Sequence, residues 1–68
     1  MDRVPVSSSN LVSVGYEPAS ETLEVEFRHG VYQYYNVPQI VYEQLMHAPS
    51  IGSFFSTNIR NAFAYSRV

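Results

Sequence analysis

The chain contains no cysteine and no lysine in 68 residues. Without cysteine there is no disulfide and no thiolate metal site, which fits a reducing compartment. Without lysine, all positive charge rests on Arg3, Arg28, Arg60 and Arg67, against six acidic residues, for a formal net charge of -2. That balance excludes a polyanion binder working by bulk charge. No apolar run approaches the roughly 20 residues that span a bilayer. Met1-Asp2-Arg3-Val4-Pro5 also lacks the apolar stretch of a signal peptide, so a soluble cytoplasmic protein is expected. No repeat or linker composition divides residues 1–68, which are read as one domain. A chain of this size buries only about 60% of its unfolded surface, so the 46% of residues that are hydrophobic must supply the core.

What is present is tyrosine and alternation. Leu11 to Glu17 alternates with period 2, Pro18 to Glu21 makes a turn, and Thr22 to Arg28 sets Leu23, Val25 and Phe27 against Glu24, Glu26 and Arg28. His29-Gly30 suits a hairpin loop, and Val31 to Asn36 then carries Tyr32, Tyr34 and Tyr35. Pro38 opens a helix in which Val37, Val41, Leu45 and Ala48 recur at helical spacing, ending before Pro49. Ser50 caps a second helix, with Ile51, Phe55 and Ile59 as its buried stripe. The tail from Asn61 reads as irregular, with Phe63 and Tyr65 packing back onto the core. The expected fold is α+β, a three-stranded antiparallel meander followed by two helices packed on one face.

The turns assign the faces. A loop at His29-Gly30 pairs Phe27 with Tyr32 and Val25 with Tyr34, and the preceding turn pairs Tyr16 with Leu23 and Val14 with Val25. The covered face is then Val12, Val14, Tyr16, Leu23, Val25, Phe27, Tyr32 and Tyr34. The other is polar and mostly acidic, with Ser13, Glu17, Thr22, Glu24, Glu26, Arg28, Gln33 and Tyr35. A loop one residue longer would bury Gln33, which disfavours it.

Val4-Pro5-Val6-Ser7-Ser8-Ser9, Gly15-Tyr16-Glu17-Pro18, Leu23-Glu24-Val25-Glu26-Phe27, Tyr32-Gln33-Tyr34, Val37-Pro38 and Ala48-Pro49-Ser50-Ile51-Gly52 together resemble the KTSC domain family. Such domains are known from the C-terminus of some lysyl-tRNA synthetases and from small stand-alone bacterial and phage-type proteins. The resemblance implies the fold, identifies Tyr32-Gln33-Tyr34 with the family's central Y-x-Y, and suggests RNA binding. It also implies cations in the second helix and tail, where this chain has Arg60 and Arg67.

For phosphate, the candidate site is Ser50, Gly52 and Ser53 at a helix start, completed by Asn58 and Arg60. The plain alternative is that Ser50 caps its own helix and that Asn58 and Arg60 are solvated. Ser7-Ser8-Ser9-Asn10 either lines the same site or is a flexible entry segment. Tyr35, Tyr42 and Phe54 are the aromatics expected to remain accessible, for a base or a protein partner. Glu24 and Glu26 share a strand face, but exposed strand carboxylates more often serve solubility. His29 in a turn and His47 at a helix end form no metal site, and no cofactor is implied. The expectation is a non-enzymatic module that binds RNA or a nucleotide through Ser50 to Ser53 and Arg60. The other reading is a protein-interaction module that self-associates or binds a partner, in a phage setting a host component.

Overall fold

The computed structural model describes residues 1–68. The chain forms β1 (Arg3–Pro5), β2 (Leu11–Glu17), β3 (Thr22–Phe27), β4 (Gly30–Tyr34), α1 (Gln39–Met46), α2 (Ile51–Asn58) and β5 (Tyr65–Arg67). The strands make one antiparallel sheet in the order β1-β2-β3-β4-β5. The α+β meander carries two short strands that alternation could not reveal, one on each edge. Both have three residues, too few to show a period of 2.

Leu23, Val25 and Tyr34 are buried on one face of the sheet, and the helices lie across it. Phe55 of α2 meets Phe27 and Tyr34 edge-on at 5.3 Å, and Tyr42 of α1 stacks on Tyr16 at 4.9 Å. An eight-residue helix is marginal alone. Phe55 and Ile59 are fully buried and contribute about 1.5–3 kcal/mol each. That exceeds the roughly 1 kcal/mol of the Ser50 cap, so packing holds α2.

Two pairings differ from the sequence expectation. At the start of β2 a bulge lets Leu11 pair with Phe27 while Ser13 pairs with Glu26, which turns Leu11 inward and leaves Val12 40% exposed. Val12 therefore does not belong to the covered face. Between β3 and β4 the turn falls on Arg28-His29, so Phe27 pairs with Gly30 and Val25 with Tyr32. The Arg67 guanidinium lies against Gly30, where a Cβ would come within 2.7 Å of Nη2. Gly30 itself has φ 158°, a conformation that L side chains rarely adopt, so glycine is favoured inside the strand rather than in the loop. Because the shift is by two residues, the face assignment of Tyr32 and Tyr34 survives it.

The opposite face is not a solvated acidic surface. Arg3, Gly15, Glu24, Gln33 and Ser66 stand in one row across all five strands. Arg3 Nη1 donates to Glu24 Oε2 at 2.5 Å, and Gln33 Nε2 donates to Glu24 Oε1 at 2.9 Å. Tyr35 donates to Gln33 Oε1 at 3.4 Å and shares a hydrogen bond with Ser66. In the next row Ser13 receives Arg3 Nε at 3.0 Å and donates to Glu26 at 2.7 Å. Glu24 is consequently only 8% exposed, and Gln33 and Arg3 hold its carboxyl below the ordinary value of 4.5 although burial pushes the other way.

Candidate functional site

The helices do not cover the whole apolar face. Beyond α2, toward the β3-β4 turn, an open cleft of about 650 Å³ remains. Phe27, Tyr32, Tyr34, Phe55 and Tyr65 supply its aromatic surface, while Arg28, His29 and Arg60 stand among its polar groups. Register explains the gathering of rings. Leu23, Tyr34 and Tyr65 share one row, and Val25, Tyr32 and Arg67 share the next. Tyr34 and Tyr65 stack at 5.3 Å, and Tyr32 lies 6.0 Å from Tyr65.

The cations gather here as well. Arg28 and Arg60 line the cleft, with Arg60 placed 6.0 Å from the centre of the Phe55 ring. Arg67 lies over Tyr32 at 5.8 Å and donates Nη2 to the His29 carbonyl at 2.5 Å. No carboxylate lines the cleft. The net charge of -2 thus conceals a separation, with three of the four arginines at or beside the cleft and Glu24 and Glu26 engaged with Arg3 on the other face.

The tyrosine hydroxyls differ in their partners. Tyr16 donates to the Val37 carbonyl at 2.5 Å, and Tyr35 is bonded to Gln33 and Ser66. Tyr34 is only 4% exposed, lines the cleft, and has no hydrogen-bond partner within the protein. Since no sealed polar side-chain atom lacks a partner, that hydroxyl opens into the cleft. Burial raises its pKa above 10.0, reinforced by Tyr65, while Arg60 lowers it in part.

The residues expected to hold phosphate are not all brought together. Ser50 accepts from the Ser53 N–H at 3.2 Å, closing the cap. Ser50, Gly52 and Ser53 line a separate shallow hollow with Ser7, Ser8, Ser9 and Asn10. The serine segment is an ordered turn, with Ser8 Oγ accepting from the Asn10 and Leu11 N–H groups at 3.3 Å. Asn58 donates back to the Phe54 carbonyl at 3.2 Å and faces neither hollow. Arg60 belongs to the aromatic cleft, where Gly52 also forms part of the wall. Ser9, Asn10, Gly52 and Ser56 border both hollows, so the two adjoin.

The aromatics expected to be accessible are each partly exposed but lie outside the cleft. Tyr35 is half-buried on the opposite face, Tyr42 stacks on Tyr16, and Phe54 packs against the core. Arg28, Phe27, Tyr32, Tyr34 and Tyr65 complete the cleft instead. Tyr32 and Tyr34 were placed on the correct face by sequence. Their access to solvent depends on where α2 ends, and that of Tyr65 on a strand too short to recognise.

Comparison with known proteins matches residues 7–63 to the KTSC domain. An uncharacterized protein of Stutzerimonas stutzeri is 46% identical over 57 residues, covering 82% of this chain and 80% of its own. A lysine–tRNA ligase of a Nostoc species is 43% identical over 54 residues, which are 78% of this chain but 10% of the ligase. The crystal structure of a KTSC domain protein from Yersinia pestis superimposes with a TM-score of 0.97 at 41% identity, covering 98% of this chain and 96% of that one. The chain belongs to the KTSC domain family.

Proposed function

We propose that this protein is a non-enzymatic module that binds RNA or a nucleotide through the aromatic cleft. The observation that carries the reading is the coincidence, in one hollow free of carboxylates, of five aromatic rings with Arg28 and Arg60. Aromatic faces stack bases without regard to sequence, and guanidinium groups pair with phosphate. The shallower hollow beside Ser50, Gly52 and Ser53 adjoins the cleft but lies outside the proposed site. The similar segments of lysine–tRNA ligases, enzymes named for a tRNA substrate, are consistent with such a ligand.

The test is binding of short single-stranded RNA to the chain and to Arg60→Ala. Affinity is expected to fall roughly fivefold in the variant, on the scale of one lost charged hydrogen bond, and to weaken as salt rises. Unchanged affinity in the variant would remove Arg60 from the site.

A protein-interaction role, by self-association or with a host partner, has one supporting observation. Met1, Val4 and Val12 are exposed at the β1-β2 end of the sheet, by 51%, 50% and 40%. Binding of that kind would be insensitive to salt and indifferent to Arg60.

A further inference from the structure

Tyr34 occupies an unusual position in the cleft. Its ring is held between the edge of Phe55 and the face of Tyr65, each at 5.3 Å, so the hydroxyl is fixed in place. The residue as a whole is only 4% exposed, and its hydroxyl, without a partner in the protein, is open to the cleft that the residue lines. A group that contacts this hydroxyl sits within the cleft that Phe27, Tyr32, Phe55 and Tyr65 line. The hollow of about 650 Å³ lies within the rough range of 300–1,000 Å³ typical of small-ligand sites, and a group that fills it without meeting the hydroxyl leaves a polar atom dry.

We propose that the cleft is a single-nucleotide pocket, in which one unpaired nucleobase lies against the aromatic wall, its polar edge hydrogen-bonds the Tyr34 hydroxyl, and its phosphate meets Arg28 or Arg60. This rests on the nucleotide reading above and adds a specificity determinant to it. Tyr34 selects among bases, because a base whose edge cannot pair with the hydroxyl loses that bond and buries the group unsatisfied. The arginines and rings serve any base alike. The chemistry is shared by a free nucleotide and by one base extruded from a strand.

The experiment compares the chain with Tyr34→Phe. The probes are the four ribonucleoside 5′-monophosphates, the four corresponding tetranucleotides, a 12-base-pair RNA duplex and phenyl phosphate. The native chain is expected to prefer one base at least fivefold, on the scale of one hydrogen bond, with the duplex and phenyl phosphate weaker. Tyr34→Phe is expected to bind all four bases alike, at the level of the unpreferred ones, with unchanged melting temperature because the hydroxyl has no protein partner. Equal affinity for monophosphate and tetranucleotide assigns the ligand to free nucleotides, and a tenfold gain for the tetranucleotide assigns it to a strand. Binding without base preference in both proteins would overturn the role of Tyr34 and leave the nucleotide reading standing. Phenyl phosphate or duplex binding as tightly as the best nucleotide would overturn the single-base pocket. Failure of every nucleotide and tetranucleotide to bind would overturn the nucleotide reading itself.

Discussion

At Gly15 the polar ladder depends on a missing side chain. A Cβ there would lie 2.6 Å from the Asp2 carbonyl oxygen and 3.1 Å from Arg3 Cγ, so alanine forces β1 away and breaks the reach of Arg3 to Glu24. Gly15→Ala is expected to cost about 1–3 kcal/mol in urea unfolding, the usual range for overpacking. Glu24 gives the ladder its pH dependence. Its folded pKa is depressed, first by Gln33 and, behind the opposing effect of burial, by Arg3. The stability it contributes is therefore complete above the unfolded value near 4.5 and is lost as pH falls through the lower folded value. Glu24→Gln is expected to flatten the acid limb of a stability-versus-pH curve below about pH 4.5. An unchanged limb would show that other carboxylates govern it.

Among the elements, α2 separates the two hollows experimentally. Ser50 caps the helix and stands in the serine hollow, outside the aromatic cleft. Ser50→Ala is expected to lower stability by about 1 kcal/mol while RNA affinity changes less than twofold. A large affinity loss at constant stability would move the phosphate site back to the helix start. The two helices and three central strands were legible because each is long enough to display its period, and because Ser50 and the Pro38 and Pro49 boundaries punctuate them. β1 and β5 were not, since Arg3-Val4-Pro5 and Tyr65-Ser66-Arg67 become strands only through pairing with β2 and β4. The register of β4 differs by two residues from that of a His29-Gly30 loop, because the turn takes Arg28-His29 and Gly30, at φ 158°, is the first residue of the strand.

For the whole molecule, what matters is how charge and rings are distributed. Composition alone argues against a polyanion ligand, yet folding draws Arg28, Arg60 and Arg67 around one hollow and leaves Glu24 and Glu26 with Arg3 on the opposite face. Arg60 and Gly52, expected at a phosphate site, line the cleft, and Tyr32 and Tyr34 lie on the face that alternation assigns them. The cleft itself was not, because it is the part of the sheet that an eight-residue α2 leaves uncovered. With Arg28 and Arg60 as the cations that line it, the logarithm of affinity for single-stranded RNA should fall with the logarithm of salt with a slope of about -1.4. A slope near zero would point to a contact without phosphate. The most direct measurement is an NMR titration of the full chain with a short single-stranded RNA, following the aromatic and arginine side-chain signals. Shifts are expected at Tyr32, Tyr34, Phe55, Arg60 and Tyr65, with Tyr35 and Gln33 on the opposite face unmoved. No shifts at millimolar RNA, or shifts centred on Tyr35 and Gln33, would contradict the assignment of the cleft as the binding site.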